Sequence, residues 1–296
     1  MPSLAVTRAS NAQYAAKTRP VLVVFGGTSG IGAGIVQAFA RHTHGVVHVV
    51  VVGRSKPSAD ALFASLPQHP ESLYEFLPID CTLMRNVKAA SRELSARLTK
   101  INYLVLSQGY FHLGDPPTDD GLDPLHALMV YGRVRAALEL APRLQAAAAL
   151  GEDARIMTVS RAGSGGPINL DDVALQHLSM FKMRGALVTY TDIYTLEIAQ
   201  RFPDISMTHI YPGFIASGLK RGMPFYLRWI FAVVEHLFAT SSENCGEWMM
   251  YALVDPTAKT GAHFKTNHAE ALGPNKHADE IARAVVWKSL QERSDR

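Results

Sequence analysis

A run of β-branched residues that stops at glycine, followed at once by an apolar run at helical spacing, constrains this chain most. From Pro20 the sequence reads VLVVFGGTSGIGAGIVQAFARH. The first run predicts a strand; the second, with Ile31, Ile35, Ala38 and Phe39 on one face, predicts a helix. Gly26, Gly30 and Gly32 stand between them in a GxxxGxG spacing. Such a turn points backbone N–H groups at a helix N-terminus, where a dinucleotide pyrophosphate can lie, and a Cβ at those glycines is expected to hold the phosphates away. A glycine-rich turn without ligand is the competing reading. Its place after a first strand, inside a βαβ unit of about thirty residues, favours the cofactor.

VVHVVVVG, Val46 to Gly53, is nearly all β-branched, as a parallel strand covered on both faces should be. Further strands are expected at LYEFLPID, Ile101 to Gly109, Ala154 to Ser160 and Ile205 to Gly213. Helices are expected at Asn86 to Leu98, about Pro124 to Leu150 and about Asp172 to Arg201. This alternation predicts an α/β fold, a Rossmann-like doubly wound parallel sheet in a single domain. Residues 1–19 read as an N-terminal arm and 20–296 as the dinucleotide-binding domain. With 296 residues, 48% of them hydrophobic and 19% charged, the chain has the apolar material for such a core.

Twenty-nine Lys and Arg against twenty-six Asp and Glu leave a net charge of +3 without a basic block, so nucleic acid is not expected as a partner. Cys81 and Cys245 are too few for a disulfide framework and lack zinc-site spacing. The histidines add no metal-binding pattern, so no metal is expected, and a reducing, cytoplasmic compartment fits. The N-terminus has no signal-peptide core and no stretch reaches membrane-spanning length. Its acid-free start, with Arg8, Lys17 and Arg19, leaves a transit peptide as the weaker alternative to an arm leading into the first strand.

Gly53, Arg54, Ser55 and Lys56 follow the second strand. Where an NAD site offers a carboxylate to the ribose hydroxyls, this chain offers a guanidinium, which can fork onto a 2′-phosphate. NADP(H) is therefore expected over NAD(H), with a solvated turn as the alternative.

On these residues the chain, from Pro20 to about Asp255, resembles the short-chain dehydrogenase/reductase family. In SRAGSGGPINLDD and TYTDIYTLEIA it is similar to divergent fungal members, which implies an oxidoreductase of secondary metabolism. GGTSGIG resembles the family's glycine loop, with Phe25 where Thr is common, and implies cofactor contacts from Gly26, Thr28, Ser29, Gly30, Ile31 and Gly32. Asp80 in PIDCT looks like the acidic residue that contacts adenine. LSQG, ending at Gly109, takes the place of NNAG beside the cofactor. PGFIAS is similar to PGxxxT, which implies that Pro212 and Gly213 border the cofactor and that Ser217 meets the nicotinamide carboxamide.

The resemblance also implies a catalytic YxxxK, because a phenol of pKa near 10 needs a neighbouring cation to exchange protons at neutral pH. This sequence has no YxxxK. The Tyr slot falls at Met180, Lys182 or Arg184, and no Tyr occurs from Gly132 through Thr189. Tyr190 and Tyr194 lie two to three turns further along and read as packing residues. The family's Asn falls near Met129, and Arg161 replaces the second of two serines, leaving Ser160. Ser160, polarising a substrate oxygen, and Arg184, stabilising an oxyanion, are the catalytic candidates. His177 and Tyr110 are weaker replacement acids. Three functions compete: an NADP(H)-dependent oxidoreductase with another proton source, a cofactor-binding sensor or scaffold, and a non-redox enzyme on the same fold. The first is favoured because the cofactor elements are intact.

From about 218 to 245 the resemblance implies a substrate lid. Phe225, Trp229, Val233 and Leu237 belong to an apolar helical stripe there, which predicts a hydrophobic, terpenoid- or polyketide-like substrate. A subunit contact is second. Peripheral membrane contact is third, because the opposite face has no Lys-rich band. By family likeness the helices Pro124–Leu150 and Asp172–Arg201 are candidate homodimer surfaces.

Overall fold

The computed structural model describes residues 2–109, 116–175, 177, 179–215 and 239–295. Its frame is a sheet of β1 (Val21–Phe25), β2 (His48–Gly53), β3 (Leu73–Pro78), β4 (Tyr103–Leu106), β5 (Arg155–Val159), β6 (Ser206–Ile210), β7 (Gly261–Lys265) and β8 (Ala271–Leu272). The order is 3-2-1-4-5-6-7-8, parallel except for the final pair. Every residue of β1, β2, β4, β5 and β6 is buried, whereas the edge strand β3 is half exposed. That is the burial a sheet covered on both faces imposes.

The helices are α1 (Leu4–Asn11), α2 (Gly30–His42), α3 (Lys56–Ala64), α4 (Met84–Arg97), α5 (Pro124–His126), α6 (Gly132–Ala149), α7 (Met180–Arg201), α8 (Ser242–Leu253) and α9 (Glu280–Ser294), with a π-helical turn (Ala127–Tyr131) joining α5 to α6. Alternation along β1 divides the core. Val21, Val23 and Phe25 pack with α4, α6, α7 and α9, while Leu22 and Val24 pack with α2 and α8. β1 has β2 on one side and β4 on the other, so strand order reverses between β1 and β4. In doubly wound sheets that reversal opens a crevice at the carboxyl ends of the two strands.

The expected doubly wound sheet is present, with differences at the edges of elements. The second strand begins at His48 rather than Val46. The helix expected from Asp172 begins at Met180, because Leu175 is left-handed (φ 57°) and Ser179 is an extended N-cap. Residues 1–19, expected as an arm, contain α1, whose Asn11 donates to the Glu247 carbonyl and carboxylate on α8, both at 2.9 Å. α9 packs on α6 and α7 with Val286 and Leu290 fully buried, and its Arg283 pairs with Glu197 at 2.8 Å. It therefore covers part of the two helices suggested as dimer surfaces. Among the described residues no helix is long and apolar enough to cross a membrane.

Candidate active site

The crevice between β1 and β4 is closed at its base by the chain's own backbone. Gly26 has φ +80° and Gly30 φ +58°, the left-handed region that favours glycine. A Cβ on Gly26 would stand 2.7 Å from the Gln108 backbone. One on Gly32 would stand 2.4 Å from the Gly26 carbonyl oxygen and 2.6 Å from Ser107 Oγ. This corrects the physical reason given to these glycines: at Gly26 and Gly32 a side chain meets the loop and β4 themselves, before any ligand. Ser107 Oγ donates to the Phe25 carbonyl at 3.0 Å, stitching the end of β4 to the loop. Phe25, the departure from the family loop, is fully buried in the core and does not fill the crevice. Ser29 is the N-cap of α2 and its side chain makes no capping hydrogen bond, so the positive end of α2 is not capped by its own N-cap residue. Thr28 and Ile31 flank the same turn, half-buried.

Along β2 the strand ends at Gly53, where a Cβ would stand 3.0 Å from Thr28 Cγ2, so the β2 end and the glycine loop are in contact. Arg54 follows, exposed. Lys56 is engaged with Asp60 at 2.7 Å, which leaves Arg54 as the unengaged cation of this turn among the described residues. Asp80 accepts from the Thr82 backbone N–H at 2.9 Å and hydroxyl at 2.8 Å through one oxygen, shaping the loop after β3. Beside it burial pushes the Cys81 thiol up to about 12, with Asp80 adding to the rise and Arg54 opposing it.

On the other side of β1 lie the ends of β4 and β5. Gly109 is exposed; Gln108 is buried, and neither end of its side-chain amide has a hydrogen-bond partner. Ser160 directly follows β5, 7% exposed, and its Oγ also lacks a partner, so no hydrogen bond joins it to Arg184. Arg184 is half-buried near the start of α7, and burial lowers its pKa. The next residue, Gly185, packs on Gly166: Gly166 N–H donates to the Gly185 carbonyl at 2.9 Å. This contact ties the loop that follows Ser160 to α7. Arg161, Lys182 and His177 are exposed. After β6, Pro212 accepts from Cys245 Sγ at 3.6 Å, and Gly213 has φ +83° against Asn267. A parallel bridge joins Ile215 to Thr240, the two residues that bracket 216–239. Ser217, Tyr110 and the stripe within 225–238 lie outside the described residues, and the lid's expected end, 242–245, is the first turn of α8.

Both tyrosines of α7 are occupied. Tyr190 donates to the Val173 carbonyl at 3.0 Å, and the Tyr194 hydroxyl meets Thr158 Oγ1 at 2.6 Å; burial raises the pKa of each. They pack, as expected. Met129, at the Asn slot, sits in the π-helical turn, a distortion frequent at functional sites.

Two further buried polar groups lie beneath the site, the first of them four residues after the vacant Asn slot at Met129. Arg133, in the first turn of α6, is 2% exposed and donates to Thr158 Oγ1 (2.9 Å), the Val159 carbonyl (2.8 Å) and the Gln108 carbonyl (2.6 Å). Asp192 on α7 holds His209 Nδ1 at 2.5 Å and accepts from Asn275 N–H and Nδ2 at 2.9 and 2.7 Å. Burial lowers the His209 pKa more than Asp192 raises it, so the ring is neutral. Among the described residues no cluster of His, Cys, Asp and Glu could hold a metal.

The family model for short chain dehydrogenases matches residues 20–165. An oxidoreductase of Emericella nidulans is 30% identical over 74% of this chain, which spans 65% of that relative's length. A short-chain dehydrogenase/reductase of Stachybotrys chartarum is 26% identical over the whole chain and 89% of its own. Among solved structures, a short-chain dehydrogenase from Sphingobium yanoikuyae in complex with NADPH superposes with a TM-score of 0.60 at 19% identity, covering 92% of this chain and 93% of its own.

Proposed function

Because this chain belongs to the short-chain dehydrogenase/reductase family, we propose that it is an NADP(H)-dependent oxidoreductase acting on a hydrophobic carbonyl or alcohol. The observation that carries the reading is the α2 end. The Ser29 side chain leaves that helix terminus uncapped, at the strand-order reversal, with Arg54 unengaged among the described residues at the β2 end and no carboxylate in residues 53–56. The residues fit a dinucleotide: the crevice is not filled by Phe25, and Ser160 Oγ is a buried hydroxyl in want of a partner. Bound, the nicotinamide supplies or accepts a hydride.

The chain's own residues do the rest. The N–H groups at the start of α2 hold the paired phosphates. Arg54 forks onto a 2′-phosphate, and Asp80, Gly109, Pro212 and Gly213 border the remainder. Ser160 Oγ donates a hydrogen bond to the substrate oxygen, and Arg184 places positive charge where an oxyanion develops. The NADPH in the Sphingobium yanoikuyae structure supports a nicotinamide dinucleotide as the cofactor.

A second reading, a cofactor-binding sensor or scaffold, is favoured by one observation: Tyr190 and Tyr194 both have their hydroxyls engaged in the core and cannot serve as the proton donor. Purified protein titrated with NADPH and then mixed with apolar ketones and aldehydes separates the two, through the absorbance of the reduced nicotinamide. Binding with oxidation supports the enzyme, binding without it the scaffold, and failure to bind either dinucleotide overturns both. Arg54→Ala is expected to weaken NADPH about 10- to 100-fold, the worth of charge-assisted hydrogen bonds, and to spare NADH. Unchanged NADPH affinity would refute the assignment of the 2′-phosphate.

A further inference from the structure

Arg133 is a guanidinium sealed in the sheet–helix interface, and among the described residues no carboxylate lies within ion-pair distance of it. Its partners are two backbone carbonyls and the hydroxyls of Thr158 and Tyr194. Those carbonyls belong to Gln108 and Val159, the residues immediately before Gly109 and Ser160. The last ladder pair between β4 and β5 is Leu106 with Thr158, so beyond it the two strand ends are joined through this one side chain. Buried cations are ordinarily paired, because leaving water is costly. On this face Asp192 stands one strand further on, behind neutral His209, whose register partner is Thr158.

We propose that Arg133 is a positioning residue that ties the ends of β4 and β5 beneath the crevice, and that its fixed charge makes the site prefer a reduced nicotinamide dinucleotide to the oxidised one. This rests on the cofactor reading above. With a 2′-phosphate at the end of β2 and the pyrophosphate at α2 over β1, the sheet order leaves one direction for the nicotinamide: across β4 towards β5. Strands lie about 4.8 Å apart, so Gln108, Gly109 and Ser160, above Arg133, would be the residues that hold the ring. The two redox forms differ by one positive charge on that ring and share everything else. With the ring held above these residues, the Arg133 guanidinium would be the buried charge beneath it, and like charges roughly 10 Å apart at an effective dielectric of about 20 change relative affinity by about tenfold or more. Asp192 opposes this in part, since its carboxylate lies on the same buried face.

The test is the ratio of dissociation constants, NADP+ over NADPH, measured on the full chain by quenching of tryptophan fluorescence, with circular dichroism to confirm folding. The wild type is expected to bind NADPH at least about tenfold tighter. Arg133→Gln keeps a donor for the carbonyls without charge and should bring the ratio towards one, whereas Arg133→Lys should retain most of it. Asp192→Asn should raise the ratio, the opposite sign, which a purely structural role for either residue does not produce. A wild-type ratio near one, or equal ratios in wild type and Arg133→Gln, overturns the proposal while leaving cofactor binding intact. If Arg133→Gln fails to fold, the wild-type ratio and the Asp192→Asn shift decide. Failure of the wild type to bind either form overturns the cofactor reading, and this proposal with it.

Discussion

Gly34 and Gly246 mark where α2 crosses α8 in backbone contact, and replacing Gly34 by Ala is the sharpest test of the architecture that aims α2 at the crevice. A Cβ on Gly34 would stand 2.0 Å from the Ser242 carbonyl oxygen and 2.8 Å from its carbon; one on Gly246 would stand 2.1 Å from the Gly34 oxygen. Both obstacles are backbone, so no rotamer relieves them and the helices must separate by about an ångström to restore ordinary contact. Overpacking of this kind costs typically about 1–3 kcal/mol, and a backbone obstacle belongs at the upper end. Against that, Ala in a helix interior gains about 1 kcal/mol over Gly. The net expectation is a loss of about 2 kcal/mol, or a fall in Tm of roughly 3 °C for a domain of this size. Gly273→Ala is the control, since nothing lies within 4 Å of its added carbon. The double variant Gly34→Ala with Gly246→Ala should cost less than the sum of the singles, because one separation relieves both clashes. Thermal melts and dinucleotide titrations of the wild type, both single variants, the double variant and the control check this. The Gly34→Ala protein should also bind dinucleotide more weakly, since the displaced helix carries the glycine loop. A Gly34→Ala melt at or above the wild type would refute the tight crossing.

Glu247 is fully buried and joins α1, α2 and α8 through Asn11 (2.9 Å), Arg41 (2.6 Å) and His42 (2.9 Å). Burial alone would raise its pKa, but the hydrogen bonds from His42 and Asn11 and the charges of His42 and Arg41 outweigh that and hold it at about 2. A folded pKa below the ordinary carboxylate value means stability that is present above about pH 4.5 and lost as pH falls towards 2. Glu247→Gln should lose at least about 2 kcal/mol at pH 7 by urea titration and flatten the acid limb; an unaltered acid limb would assign that slope elsewhere. Tyr190→Phe should lose about 1 kcal/mol with the hydrogen bond to Val173 and leave turnover within twofold. A collapse of turnover in that protein would show that the phenol reaches the reacting atoms after all.

What was legible in the sequence is what local pattern encodes. Continuous β-branched runs such as HVVVVG announce strands buried on both faces, and the glycine spacing announces the strand–turn–helix. Elements whose reason lies elsewhere in the chain were not legible. Leu175 takes a left-handed conformation that no propensity suggests, and α1 is held by Glu247, 236 residues away from Asn11. In the sequence Arg133 follows the vacant Asn slot and reads at most as a pocket-lining residue; its burial depends on the carbonyls of Gln108 and Val159, 25 and 26 residues away.

At the glycine loop the spacing has a cause in the fold itself. The spacing of Gly26 and Gly32 was read as room for phosphates, yet at both positions a side chain would first strike Gln108, Ser107 or the loop's own carbonyl. Those glycines are therefore required by the way β1, β4 and α2 meet, and would be required in a protein of this fold that bound nothing. The case for a cofactor has to come from residues that packing does not explain: the α2 terminus left uncapped by Ser29, Arg54 unengaged beside an engaged Lys56, and the partnerless hydroxyl of Ser160. They lie along the carboxyl ends of β2, of β1 and, beyond β4, of β5, and a dinucleotide is long enough to span those positions. Substituting Arg54 or Ser160 should thus alter binding or turnover while sparing stability, and substituting Gly26 or Gly32 should do the reverse first.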